Sequence, residues 1–353
     1  MTTCKAFGAC EAHAALTPIH IERRALRADD VAIAIDYCGI CHSDAHAVNN
    51  DWGTTVYPCV PGHEIVGHVT AIGPHVTRYK VGDCVAVGCM VDSCQDCPSC
   101  DHGHEQNCSK GLTATYNGKD RHTGEITYGG YAESIVVREK FVLRVPAALD
   151  MKYASPLLCA GITVWTPLRR HCVGKGSKVA VVGLGGLGHM AVKLAVALGA
   201  EVTVITTSAG KADDARALGA TDVLLSKDPK AMQSAGNRYD FILDTIPTKH
   251  NVNPYLMLLG RNGVVVLVGA LEPLEPIHGA LLVMNNRSIS GSLIGGLNDT
   301  QELLDFCAEH DVLPNCEMID VRDINTAFQR MQANDVKYRF VIDMASMHEV
   351  GVK

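Results

Sequence analysis

The chain has 353 residues, more than one hydrophobic core usually organises, so we expect two domains. Its 47% apolar content excludes intrinsic disorder, and its formal charge of −7, with no basic stripe, argues against a nucleic-acid partner. The odd number of cysteines, 15, and the absence of a secretory signal pattern predict a reducing, cytoplasmic location. No apolar run reaches the roughly 18 residues of a membrane span, so we expect no membrane partner.

The first 151 residues predict an irregular, mostly β domain. Short apolar runs such as Val31–Ile35 and Ser134–Val137 are broken by Gly and Pro, as is typical of strands joined by tight turns. A lobe at about residues 89–110 is rich in cysteine.

From about residue 152 the pattern changes to apolar strand, Gly turn and helix. Lys178–Gly183 predicts a buried strand, and apolar residues from Leu187 to Leu198 recur at helical spacing. Further strands are predicted at Val202–Ile205, Val223–Leu225, Phe241–Leu243 and Val264–Val268. This alternation predicts an α/β fold, with a doubly wound parallel Rossmann sheet at 152–289 inserted in a first domain made of 1–151 and 290–353.

A glycine-rich turn links the first predicted Rossmann strand to its helix. It fits G-x-G-x-x-G, and the flanking strand and amphipathic helix are the context that dinucleotide binding requires. The helix N-terminus offers free N–H groups to a diphosphate, whereas the alternative is a turn that binds no ligand. The candidate residues are Gly183, Leu184, Gly185, Gly186, Leu187 and Gly188.

The end of the second Rossmann strand bears on the choice between NAD and NADP. NAD enzymes carry an Asp or Glu there for the ribose 2′-OH, but this strand ends in Thr206, Thr207 and Ser208, with Lys211 nearby. Hydroxyls and an ammonium group suit a 2′-phosphate, which favours NADP(H). The alternative is an ordinary polar turn with a solvated lysine.

Four cysteines, Cys94, Cys97, Cys100 and Cys108, follow the spacing C-x2-C-x2-C-x7-C. Four thiolates within one short loop predict a closed structural zinc site. Disulfides are disfavoured in a reducing compartment, and an iron–sulfur cluster lacks a ferredoxin-like pattern.

A second set of metal-binding residue types is dispersed over three segments. These are Cys41–His46, Gly62–Glu64 and Cys159. Their spacing alone does not assemble them into one site, and each segment by itself is more typical of buried structural residues.

Taken together, these motifs give the chain a family resemblance. Cys41–His46, Pro61–Gly67, the four-cysteine lobe, Leu157–Thr163 and Gly183–Gly188 resemble the zinc-dependent medium-chain alcohol dehydrogenases, most closely their cinnamyl alcohol dehydrogenase branch. That branch includes NADP-dependent aldehyde reductases. The resemblance implies that the first domain is a GroES-like catalytic domain.

The resemblance also implies a catalytic zinc held by Cys41, His63 and Cys159 with a fourth position open, so that the chain would bind two Zn²⁺. Glu64 resembles a neighbouring carboxylate that can approach the metal, and Asp44 resembles the acid that orients the histidine ligand. Ser43 and His46 resemble a proton relay. Cofactor contacts are implied for His42, Thr245, Gly269, Ser292, Leu293, Ile294 and Arg339.

The implied activity is hydride transfer between NADPH and an apolar aldehyde, whether aromatic, allylic or of medium length, with alcohol oxidation as the reverse. In relatives the substrate pocket is walled near Trp52, Tyr57, Met90, Tyr116 and Leu293, for which core packing is the alternative. The apolar segment Ala280–Met284 corresponds to a region that pairs across a dimer axis, which predicts a homodimer.

Three other functions remain open at this point. The same fold could use NAD to oxidise primary alcohols. A zinc-binding interaction protein would be consistent with the four-cysteine lobe alone. A relative without zinc chemistry, such as a quinone reductase, would lack the Cys, His, Cys set that this chain retains.

Overall fold

The computed structural model describes residues 1–269 and 272–351. In chain order, the strands are β1 (Thr2–Gly8), β2 (Thr17–Arg23), β3 (Asp30–Ile40), β4 (Ile65–Ile72), β5 (Cys84–Val87), β6 (Met90–Asp92), β7 (Thr113–Ala114), β8 (Ser134–Arg138), β9 (Leu143–Arg144), β10 (Lys178–Val182), β11 (Glu201–Thr206), β12 (Asp222–Leu225), β13 (Tyr239–Asp244), β14 (Leu259–Leu267), β15 (Ser288–Gly291), β16 (Cys316–Asp320) and β17 (Arg339–Asp343). The helices are α1 (His42–Asn49), α2 (Pro98–Asp101), α3 (Met151–Ala154), α4 (Ala160–Arg170), α5 (Gly186–Ala197), α6 (Ala212–Ala217), α7 (Pro229–Ser234), α8 (Asn253–Leu258), α9 (Gly279–Val283), α10 (Leu297–His310) and α11 (Ile324–Gln332).

The chain divides into two compact units. The first comprises Met1–Cys159 and Gly296–Lys353, and the second comprises Ala160–Gly295. The sequence placed the divisions slightly earlier, at 151/152 and 289/290. The difference arises because α3 and the 3₁₀ turn Ser155–Leu158 pack on strands of the first unit, so Cys159 stays with that unit.

The first unit is built around a sheet in which β3 is the longest strand. One edge of β3 pairs with β8 over Asp30–Ala34 and with β17 over Tyr37–Ile40, and the other edge pairs with β4. The full order is β16-β17-β3-β4-β5-β9, with β8 alongside β3. Ile33, Ile65 and Phe340 are fully buried within its core. Because alternate residues of these strands enter the core, the intervening residues reach the opposite face.

The second unit is a doubly wound parallel sheet with the order β12-β11-β10-β13-β14-β15. All five strands predicted here are present, which confirms the Rossmann fold. Val182, Ile205, Ile242 and Val265 are buried in its core. The strand order reverses between β10 and β13, and ligands of such sheets bind outside the carboxyl ends of the strands at this point.

No helix in the described part of the chain has the length and apolarity that crossing a membrane requires.

Candidate active site

A buried carboxylate, Asp44, connects three separate segments of the first unit. It accepts hydrogen bonds from the backbone N–H of Cys41 at 2.9 Å and of Gly62 at 3.1 Å, and from the Tyr131 hydroxyl at 2.9 Å. Its Oδ1 also lies 3.1 Å from Nδ1 of His63. Because every one of these partners is a donor, the Asp44 carboxylate is satisfied although it is completely buried.

This network places four possible metal ligands around one point. One ligand atom from each of Cys41, His63, Glu64 and Cys159 lies within 4.8 Å of the others, and all four residues are buried. The Sγ atoms of Cys41 and Cys159 are 3.9 Å apart. Two thiolates on a tetrahedral zinc at about 2.3 Å each would be separated by about 3.8 Å. The observed sulfur spacing therefore fits zinc.

The orientation of His63 supports the same interpretation. Its Nδ1 atom is engaged by Asp44, which leaves Nε2 as the free ligand atom of the ring. A hydrogen bond between the two thiols lowers the pKa of Cys41 well below its usual range and raises that of Cys159. A cation bound here would displace the remaining thiol proton.

Glu64 forms a buried ion pair with Arg339. Burial raises the pKa of Glu64, and the Arg339 charge opposes that shift. The second carboxylate oxygen, Oε2, is buried and has no hydrogen-bond partner. A Cβ at Gly39 would overlap that oxygen, so the glycine leaves room for the carboxylate. One carboxylate oxygen of Glu64 thus lies among the possible metal ligands, and Arg339, predicted at the cofactor, forms an ion pair with Glu64.

The residues predicted for the proton relay lie on α1. Cys41 is the N-cap of this helix, and His42 at its first position is exposed. Ser43 and His46 are three residues apart and therefore share one helix face. The His46 Nδ1 atom lies 2.7 Å from Oδ2 of Asp51, a partner that the sequence analysis missed.

The predicted pocket residues are placed in different surroundings. Tyr116 and Met90 are buried, and the Tyr116 ring centroid lies 5.7 Å from that of His63. Trp52 is exposed, with its ring centroid 5.5 Å from that of His46. Tyr57 is partly buried and donates its hydroxyl hydrogen to a backbone carbonyl. Leu293, in the second unit, is exposed.

Two further residues at this site were missed by the sequence analysis. Tyr131 completes the shell around Asp44, and the Cys89 thiol donates to the backbone oxygen of Leu158, the residue before Cys159, at 3.6 Å. Neither belongs to a motif with recognisable spacing. Both residues contact partners that are distant in sequence, so their place at this site is visible only in the structure.

The glycine-rich loop of the second unit has the shape that a diphosphate requires. Gly183 adopts φ +92° after β10, and Gly185 is the N-cap of α5. A Cβ at Gly188 would overlap the carbonyl oxygen of Gly183, whereas a Cβ at Gly185 would meet nothing within 4 Å. The loop is therefore closed on its inner side and open above the helix N-terminus, where N–H groups are free. Leu184, Gly186 and Leu187 complete this turn.

The hydroxyl-rich end of β11 lies beside this loop. The Lys211 Nζ atom donates to the backbone oxygen of Leu184 at 3.0 Å, so its positive charge is held against the glycine-rich turn. Thr206 is buried, and its Oγ1 accepts the backbone N–H of Ser208 at 3.2 Å. Thr207 and Ser208 are exposed. The structure thus brings these residues together at one corner of the sheet.

The other predicted cofactor residues follow neighbouring strands. Thr245 lies at the end of β13 and donates to the Val182 backbone oxygen at 2.7 Å. A Cβ at Gly269 would lie 2.9 Å from the backbone oxygen of Thr245 and 3.0 Å from that of Ile246, so this glycine packs closely against the chain after β13. Ser292, Leu293 and Ile294 follow β15, and the Ser292 Oγ is buried without a hydrogen-bond partner.

The four-cysteine lobe forms a compact sulfur cluster. The Sγ atoms of its four cysteines all lie within 4.8 Å of one another; these are Cys94, Cys97, Cys100 and Cys108. Cys94 and Cys100 are 3.9 Å apart, and Cys97 and Cys100 are 3.5 Å apart, measured between sulfurs. Backbone N–H groups of Ser109 and Cys100 lower the pKa of Cys97 to about 5. Four cysteine sulfurs at this spacing suit a tetrahedral zinc.

Comparisons with known proteins agree with this geometry. Residues 27–147 match the family model described as an alcohol dehydrogenase GroES-like domain, and residues 186–309 match the model described as a zinc-binding dehydrogenase. The chain is 49% identical to NADP-dependent alcohol dehydrogenase C 1 of Mycolicibacterium smegmatis, over 98% of this chain and 99% of that protein.

Two further relatives extend the likeness. Aldehyde reductase YahK of Escherichia coli is 49% identical over 96% of this chain and 97% of its own length. The solved structure of a cinnamyl alcohol dehydrogenase from Sorghum bicolor superposes with a TM-score of 0.94 at 44% identity, covering 98% of both chains.

Proposed function

The chain belongs to the zinc-dependent medium-chain alcohol dehydrogenase family, in its cinnamyl alcohol dehydrogenase-like branch, and from that premise we propose that it interconverts apolar aldehydes and alcohols with NADP(H). The family predicted from the sequence is thereby confirmed. The observation that carries the proposal is the buried set of Cys41, His63 and Cys159, with Asp44 behind the histidine.

The residues present fit both groups that the family requires. Cys41, His63 and Cys159 supply two thiolates and one imidazole, and a carboxylate oxygen of Glu64 lies within 4.8 Å of their ligand atoms. When bound, zinc supplies a Lewis acid for the carbonyl oxygen and NADPH supplies the hydride. Three permanent ligands leave one position for substrate, which is the arrangement of a catalytic rather than a structural site.

The protein's own part in the reaction is to position groups and to move a proton. Asp44 fixes the ring of His63, so that the ring presents Nε2. We assign the Ser43 hydroxyl to pass a proton to the substrate oxygen during reduction, and His46 to exchange that proton with water. Asp51 holds Nδ1 of His46, and half-exposure of the imidazole gives it access to solvent.

For the nucleotide, the glycine-rich loop from Gly183 to Gly188 and the N-terminus of α5 would hold the diphosphate. Thr206, Thr207, Ser208 and Lys211 would hold the 2′-phosphate, because no carboxylate at the end of β11 opposes that charge. The remaining contacts that we propose are those of His42, Thr245, Gly269, Ser292, Leu293, Ile294 and Arg339. Arg339 pairs with Glu64 through Nη2, while its Nε has no hydrogen-bond partner among the residues that the structure describes. The first unit then acts as the catalytic domain and the second as the dinucleotide-binding domain.

Metal analysis combined with turnover tests this function. Protein purified without added metal is expected to contain about two zinc per chain and to oxidise NADPH with apolar aldehydes. Cys41→Ala should keep about one zinc and lose turnover, whereas Cys97→Ala should lose the other zinc first. Cys10→Ala, at an exposed cysteine, is the matched control and should match the wild type in both measurements. A Cys41→Ala variant that retains two zinc or full turnover would contradict the assignment.

We also propose that the chain forms a homodimer through the edge of its Rossmann sheet. β15 is the last strand of that sheet, so one of its sides has no strand partner among the described residues. Val283 and Met284, in the segment that precedes β15, are 80% and 67% exposed, unusually high for large apolar side chains. Sedimentation should show a dimer that Met284→Glu converts to monomer, and a wild-type monomer at micromolar concentration would refute this.

The location that we propose is the cytoplasm. Both metal sets depend on cysteines that remain reduced, and thiols are kept reduced in that compartment.

A further inference from the structure

A cysteine, a histidine and an aspartate form a chain of hydrogen bonds on the sheet of the first unit, apart from both metal sets. His68 on β4 is the register partner of Cys84 on β5. The Cys84 Sγ lies 3.3 Å from Nε2 of His68, and Nδ1 of the same ring is hydrogen-bonded to the Asp36 carboxylate. All three side chains are partly exposed, so solutes can reach them.

An irregularity in β3 accompanies this arrangement. The pairing of β3 with β4 shifts register between Ile35 and Tyr37, so Asp36 is the extra residue of a bulge. Bulges redirect side chains and recur next to functional sites. Ile35, just before the bulge, is buried in the core, while Asp36 reaches the histidine on the accessible side.

The order of these three groups is that of an activated nucleophile. A carboxylate that accepts the Nδ1 hydrogen fixes the imidazole tautomer and leaves Nε2 as a base toward the thiol. The thiolate is the reactive form of cysteine, and a hydrogen-bonded base is a general means of generating it. Cys10 and Cys172 are exposed, but in the described part of the chain neither hydrogen-bonds to an imidazole. They provide an internal reference for an ordinary thiol.

We propose that Cys84 is a nucleophilic thiol that adds covalently to α,β-unsaturated aldehydes, with His68 as its base and Asp36 as the positioning residue. In this step Sγ forms a bond to the β-carbon and the C=C π bond opens. The α-carbon then takes the proton that His68 removed from Sγ. The aldehyde group is retained and no oxidant is consumed. The choice of unsaturated aldehydes rests on the proposed function, whereas the reactivity of the thiol does not.

Competition between cysteines of the same molecule tests the proposal. The zinc-loaded protein is incubated with trans-2-hexenal in the absence of NADPH, adducts are stabilised with borohydride, and peptides are quantified by mass spectrometry. Cys84 is expected to be modified at least tenfold faster than Cys10. His68→Gln should remove most of this advantage, because a positioned base contributes about 10²-fold or more.

Asp36→Asn is the second variant, which keeps a hydrogen-bond acceptor for Nδ1 and should reduce the Cys84 rate less than His68→Gln does. Aldehyde reduction should be unchanged in both variants, so a failure of the proposed function is seen separately. Equal rates at Cys84 and Cys10, or a Cys84 rate unaffected by His68→Gln in a protein of wild-type melting temperature, would overturn the proposal. Selective labelling of Cys84 by iodoacetamide without any hexenal adduct would overturn the assigned class of electrophile.

Discussion

Alanine substitutions in the glycine-rich loop should separate its two functions, close packing and ligand approach. At Gly188, a Cβ would overlap the carbonyl oxygen of Gly183 and lie 3.0 Å from its carbonyl carbon. Carbon atoms pack best at about 3.5–4.0 Å, so the start of α5 would have to move away from β10 by about 0.5–1 Å. This shift displaces the N–H groups that we propose hold the diphosphate.

The expected cost of Gly188→Ala follows from this displacement. Overpacking of a well-packed interior costs about 1–3 kcal/mol, and for a domain of this size each kcal/mol lowers the melting temperature by roughly 4 °C. A misplacement of about 1 Å at a binding group also weakens its function by up to about 10²-fold. We therefore expect a loss of about 4–12 °C in the melting temperature of the ligand-free protein, and at least a tenfold rise in the Kd for NADPH.

Gly185→Ala is the contrasting variant. Its backbone has φ −136°, which any residue adopts, and a Cβ there would meet nothing within 4 Å. The melting temperature of the ligand-free protein should therefore stay at the wild-type value, while NADPH binding weakens because the methyl group occupies the space of the diphosphate. Gly174→Ala, with no atom closer than 3.8 Å to its Cβ, should change neither quantity.

Fluorescence titration with NADPH and thermal unfolding without it give the two readouts. Wild-type NADPH affinity in Gly185→Ala would refute the proposed approach of the diphosphate to the loop. A melting temperature of Gly188→Ala equal to that of the wild type would refute the packing argument.

Three further experiments test other parts of the site. Thr206→Asp should lower kcat/KM with NADPH at least tenfold and raise it with NADH, because a carboxylate repels the 2′-phosphate; steady-state kinetics showing no change would contradict the NADP assignment. Asp44→Asn should weaken zinc binding at the catalytic set about 10–100-fold in chelator competition, and unchanged affinity would exclude Asp44 from orienting His63. Arg339→Met should cost about 3 kcal/mol of unfolding free energy because Glu64 loses its buried partner. Adding Glu64→Gln should recover part of that loss, and no recovery would rule out the ion pair as the cause.

Much of the fold could be predicted from local patterns. Neighbouring residues specify the strand that ends before Gly183 and the helix that begins at the glycine-rich turn. They also specify the set of four cysteines from Cys94 to Cys108. Period and spacing are sufficient there, because the interacting atoms are close along the chain.

The catalytic set depends on contacts between distant segments, which spacing does not reveal. Cys41 follows β3 and His63 precedes β4, whereas Cys159 follows helical turns that pack on the same sheet. From the sequence, these three residues could be assigned to one site only through the family resemblance. Arg339 and Glu64 are 275 positions apart, and nothing in either local sequence indicates their pairing.

The two metal sets differ in how far the protein alone supports them. Around Asp44, hydrogen bonds from Cys41, Gly62 and Tyr131 connect the segments that carry the catalytic ligands. In the lobe, the described apolar cluster around the sulfurs consists of the four cysteines themselves. Because no other apolar side chain of the described residues joins that cluster, we expect zinc in the lobe to contribute to folding and zinc at the catalytic set to contribute mainly to chemistry. Zinc thus has a structural role in the lobe, where apolar packing is weakest, and a catalytic role near Asp44, where hydrogen bonds already organise the protein.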